Sequence, residues 1–67
     1  MKLVIRAIDL PKDTFRRKTV EVSDINEAYD VALEYVSQWE DGAASLSSFN
    51  LDEDDDNVAV AVVVIHG

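Results

Sequence analysis

The chain has 67 residues, 48% of them apolar, no cysteine and a formal net charge of −8. That length holds one small domain, and the missing cysteines exclude disulfides and thiolate zinc sites. The apolar content sets the chain apart from disordered acidic segments, which are short of Val, Ile and Leu.

Residues 2–8 read as a strand with Leu3, Ile5 and Ala7 on one face. Leu10-Pro11-Lys12-Asp13 is turn chemistry, because Pro11 presets φ and removes a ladder donor. Residues 15–22 form the returning strand of a hairpin. Ser23 or Asp24 caps a helix, and Glu27 three residues after Asp24 resembles a capping box. Ile25, Ala28, Ala32, Tyr35, Val36 and Trp39 form one apolar stripe, widened by Tyr29 and Leu33. The spacing predicts a helix ending near Asp41, with Gly42 as its left-handed terminator.

Residues 47–51 read as a short edge strand with Phe49 and Leu51 on one side, and residues 52–57 as a solvated turn. The last strand, residues 57–66, is apolar on both faces. Val58, Val60, Val62 and Val64 share one face, and Ala59, Ala61, Val63 and Ile65 the other. Burial on both sides is implied. The expected fold is α+β (ββαβ or ββαββ): a hairpin, then one helix packed on one face of a three- or four-stranded, mostly antiparallel sheet. One helix covers only one face. The other should show a stripe at Val60, Val62 and Val64, joined by Val4, Ile8 or Phe15. Such a stripe implies a homodimer or a partner, unless the stems of Lys2, Arg6 and Arg16 lie over it. Association is also the support a chain of this size most often needs.

The charge is segregated. Residues 1–18 hold all six Lys and Arg against Asp9 and Asp13, a net of +4. Residues 19–67 hold twelve carboxylates and no Lys or Arg. A solvated surface normally mixes both signs, because like charges repel. Glu27, Asp30, Glu34 and Asp41 fall within about 60° of one another on the expected helix, and Asp52, Glu53, Asp54, Asp55 and Asp56 follow in the turn. Together they make a candidate surface for a basic protein, since carboxylates on a rigid fold can take the place of a phosphate backbone. Arg16-Arg17-Lys18 is expected to pair with these acids, within the chain or across a dimer, rather than to bind nucleic acid. Asp52, Asp54 and Asp56 also suggest a calcium loop. However, the positions where an EF-hand needs glycine and glutamate hold Asn57 and Val63, so no metal site is expected.

No catalytic set is visible. His66 is the only histidine, Ser45, Ser47 and Ser48 lack a base with an orienting group, and no glycine-rich phosphate loop occurs. A non-enzymatic protein without a cofactor is expected. Leu3-Val4-Ile5 is too short for a signal-peptide core. The eight residues from Val58 to Ile65 fall far short of the roughly 20 a spanning helix needs, so the expected setting is the cytoplasm, with no membrane partner.

The stretch Thr19-Val20-Glu21-Val22-Ser23-Asp24-Ile25-Asn26-Glu27-Ala28, running on to Ala32 and Trp39-Glu40-Asp41-Gly42, is similar to small acidic proteins of phages and mobile elements. Among these, the chain resembles the anti-CRISPR proteins, phage-encoded inhibitors of bacterial CRISPR effectors, in size, acidity and ββαβ(β) order. The resemblance implies an acidic inhibitor seated in a DNA-binding or guide-loading groove. The basic first hairpin departs from a pure DNA imitator.

Overall fold

The computed structural model describes residues 1–67. Two strands, β1 (Lys2–Asp9) and β2 (Thr14–Glu21), precede a helix, α1 (Ile25–Val36). Strands β3 (Ala44–Leu51) and β4 (Val58–Ile65) follow it. The four strands form one mixed sheet in the order β2-β1-β4-β3. β1 pairs antiparallel with β2 and parallel with β4, and β3 pairs antiparallel with β4. The fold is α+β with a mostly antiparallel sheet, as the residue pattern predicts.

The core lies between α1 and one sheet face. Leu3, Ile5, Ala7, Ala59, Ala61, Val63 and Ile65 are buried there under Ala28 and Ala32 of the helix. The small side chains let helix and sheet approach closely. α1 lies over β3, β4 and β1 and leaves β2 uncovered. The two-faced apolar pattern of β4 follows from its central place: Ala59, Ala61, Val63 and Ile65 face the helix, while Val58, Val60, Val62 and Val64 are half-buried on the open face.

The helix begins as its sequence dictates. The Asp24 carboxylate accepts the Glu27 N–H at 2.9 Å, and the Glu27 carboxylate accepts the Ser23 N–H at 2.8 Å. Its end is a correction. α1 stops at Val36, five residues before Asp41, and Ser37 caps it through its Oγ on the Glu34 carbonyl (2.6 Å). Trp39 packs against the core from the following turns rather than from the helix. Gly42 is left-handed (φ 85°), but it occupies the third position of a turn closed by the Ala43 N–H on the Glu40 carbonyl at 2.8 Å. That is the glycine position of a type II turn. The apolar stripe is also shifted: Ile25 is 38% exposed, and Val31, absent from the predicted stripe, packs on the core. β3 is longer than predicted and carries a bulge between Leu46 and Ser48.

Candidate functional site

The register fixes where the charged side chains of the strands lie. Lys2 pairs with Glu21 and Val58, and the Lys2 N–H donates to the Asn57 carbonyl (3.0 Å). The β3–β4 loop and the start of α1 therefore share one end of the sheet. That end gathers Glu21, Asp24, Glu27, Asp52, Glu53, Asp54, Asp55 and Asp56, with Lys2 the one basic side chain among them. The opposite end holds Lys12 and Arg16, but also Asp9, Asp13, Glu40 and Asp41 from the hairpin turn and the 40–43 turn. Acidic side chains are thus densest at the first end of a molecule 32 Å in its longest dimension, but they outnumber the cations at both ends.

Of the predicted acidic surface, Glu27 and the 52–56 loop come together at this end. Asp30 lies one turn along α1 from Glu27. Glu34 sits farther on, in the groove between α1 and β2 that Lys18 and Tyr35 also line. Asp41 is not on the helix face at all. It lies in the turn at the opposite end of the sheet, because α1 has already stopped. The predicted four-acid helix face is a three-acid face, and its fourth member points to a different part of the molecule.

The acidic loop is braced from within. Asp52 accepts the Asp54 N–H and Asp55 accepts the Asn57 N–H through their side chains, each at 2.9 Å. The Asp52 N–H donates to the Val58 carbonyl (2.8 Å), and the Val58 N–H to the Asp55 carbonyl (3.1 Å). These are the side-chain turns that Asp forms with its own backbone. The carboxylates of Glu53, Asp54 and Asp56 take no hydrogen bond and face water. No group of three or more His, Asp or Glu side chains converges in a way that could hold a metal ion.

The cations do not neutralise this end. Of the basic hairpin residues only Arg16 forms an ion pair, with Asp9 on the helix side of the sheet. Arg17 and Lys18 make none within the chain, so of the expected intramolecular pairing with the acids only that of Arg16 is present. Arg16 also stacks over the Trp39 ring, so its stem does not lie over the open face, although Lys2 and Arg6 are there.

One feature of that open face is not apparent from the residue pattern of either strand alone. Arg6 and Arg17 are direct cross-strand partners, and neither forms an ion pair. They border a shallow depression of about 530 Å³ shared with Ile8, Phe15 and Val62. Phe15 is 80% exposed. Strand alternation holds the clue, since a hairpin closing at Asp9 and Thr14 places Arg6 opposite Arg17. Val60, Val62 and Val64 lie on this face, between Val4 and Ile8 of β1 and the polar Ser45, Ser48 and Asn50 of β3.

Ser45 Oγ lies 3.3 Å from Nε2 of His66. The pair is exposed, and no carboxylate bonds the other ring nitrogen, so the orienting group of a nucleophilic triad is missing. No helix is long and apolar enough to cross a membrane. No protein-family model matches the chain, and neither the curated proteins nor the solved structures searched contain a significant match.

Proposed function

We propose that the protein is a non-catalytic acidic inhibitor. It seats its carboxylate-rich end in the basic groove of a nucleic-acid-binding protein and so excludes DNA or RNA. What supports this reading is one observation: the loop of Asp52, Glu53, Asp54, Asp55 and Asp56 is held in shape by its own backbone bonds, yet no cation of the chain pairs with it. A braced loop loses little conformational freedom on docking. Duplex DNA presents about one charge per 1.7 Å of axis, and a basic groove built for that density attracts a cluster of carboxylates. Glu27 and Asp30 extend the surface along α1. Glu34 lies at its margin, and Asp41 lies outside it. A CRISPR effector in the cytoplasm of a bacterial host is the first target to test. The function needs no cofactor and no direct contact with nucleic acid.

The test reverses Asp30 and Asp54 to lysine, since neither carboxylate accepts a hydrogen bond within the chain. Inhibition of DNA binding by the target should fall at least tenfold with an unchanged circular dichroism spectrum. Undiminished inhibition by the double variant would reject this surface.

A second reading is a structural or adaptor protein that works through its open sheet face. The half-buried stripe of Val60, Val62 and Val64 beside the exposed Phe15 favours it. Val62→Lys should then abolish function while the acids tolerate neutralisation, the reverse of what charge imitation requires.

A further inference from the structure

The sheet has two edges, β2 and β3, and they are guarded differently. β2 carries Arg16, Arg17 and Lys18, charges that deter a second strand from pairing. β3, with sequence Ala-Ser-Leu-Ser-Ser-Phe-Asn-Leu, has no charged residue and no proline.

Its free backbone groups can be assigned. The Asp52 N–H donates to the Val58 carbonyl and the His66 N–H to the Ala43 carbonyl, while the Ile65 carbonyl turns the other way to take the Leu10 N–H. Residues of an antiparallel pair alternate between bonding inward and facing outward. Phe49 and Leu51 therefore turn their N–H and C=O away from β4, and no other hydrogen bond of the chain reaches them. The bulge at Ser47 lies outside this stretch.

A second observation sits beside this edge. Tyr29 and Leu33, on the flank of α1 above β3, are 45% and 42% exposed, and Leu51 is 47% exposed. The Tyr29 ring meets the Phe49 ring edge-on, 5.2 Å between centroids. An apolar strip thus runs alongside an uncharged, unpaired strand.

We propose that β3 is a self-association edge. A second copy of the chain pairs its own β3 antiparallel, with the two-fold axis at Asn50, and the two sheets join into one. Phe49 of each copy exchanges N–H···O=C bonds with Leu51 of the other. The arrangement is self-complementary, as a two-fold interface requires. Antiparallel pairing about Asn50 starts the two acidic loops on opposite sides of the axis, at the two ends of the paired stretch 48–52, whereas parallel pairing would set them side by side. With neighbouring strands about 4.7–4.9 Å apart and α1 lying over β3 and β4, the two helices come within roughly 10–14 Å. Packed helices sit at about 8–10 Å, and Tyr29 and Leu33 of both copies fill the difference. Stacking through Val60, Val62 and Val64 would instead bury Lys2, Arg6 and Arg17 with Glu21 as the one carboxylate on that face, so the edge is the better interface.

Sedimentation equilibrium of the intact chain tests this. The protein should run at twice its 7.5 kDa mass, with the dimer fraction rising between low and 0.5 M salt (about 4 Å Debye length at the upper end) as acidic repulsion is screened. Leu51→Lys and Leu51→Pro should be monomeric with native circular dichroism, because the proline removes an N–H that has no internal partner. Val62→Lys should remain dimeric. A wild type that stays monomeric up to millimolar concentration, or a dimer that survives both Leu51 variants, would overturn the proposal.

Discussion

Arg16 on β2 reaches the carboxylate of Asp9 on β1 at 3.5 Å, and this is the one ion pair in the molecule. Asp9 is 4% exposed and also accepts the Lys12 N–H at 3.3 Å, while Arg16 covers Trp39. The pair ties the hairpin turn to the segment after the helix. Arg16→Ala should cost about 1–2 kcal/mol, since it strands a nearly buried carboxylate and uncovers the indole. That exceeds the roughly 0.2–1 kcal/mol of an exposed pair. Urea denaturation of Arg16→Ala, Asp9→Ala and the double variant measures the coupling.

The helix start should be sensitive to Asp24. Asp24→Ala removes the acceptor for the Glu27 N–H and should lower stability by about 1 kcal/mol. Thermal unfolding followed by circular dichroism reads this, with Asp24→Ser expected to restore most of the loss.

Ala28 and Ala32 are fully buried over Ala59 and Ala61. Ala32→Leu should force the helix away from the sheet and cost about 1–3 kcal/mol. The same substitution at exposed Asp30 should leave packing intact, and comparing the two midpoints in denaturant separates crowding from helix propensity.

Arg6 and Arg17 face each other across β1 and β2. Like charges directly opposite destabilise a sheet, and opposite ones contribute about 0.2–1 kcal/mol. Arg17→Glu should therefore raise the unfolding midpoint despite making the chain more acidic, an effect that high salt should diminish.

Much of this architecture is legible in the residues. Asp24 and Glu27 announce the helix start, Pro11 the hairpin turn, and the two-faced apolar run from Val58 to Ile65 a strand buried on both sides, though not its central place in the sheet. The helix end is not, because Trp39 extends the apolar period past Val36 although the backbone turns away at Ser37. That one misreading misplaces Asp41, which spacing alone puts beside Glu34. The shared end of the 52–56 loop and the helix start depends on β1 lying parallel to β4. Local pattern does not encode that pairing. The neutral edge of β3 is visible as composition, but its outward N–H groups emerge only from the register.

The acidic loop should trade stability for binding. Neutralising Glu53, Asp54 and Asp56 to Gln and Asn relieves repulsion at one end of the molecule. The variant should unfold at a higher temperature in low salt and match the wild type in 0.5 M salt, where exposed charges are screened.

Displacement of labelled target DNA from a guide-loaded CRISPR effector, followed by gel shift with this same triple variant, most directly tests charge imitation. Wild-type protein should release the DNA in a salt-sensitive way, and the neutralised variant should not. Equal release by both proteins would contradict a working role for the acidic end, as would a failure of the wild type to displace DNA from any effector in a panel.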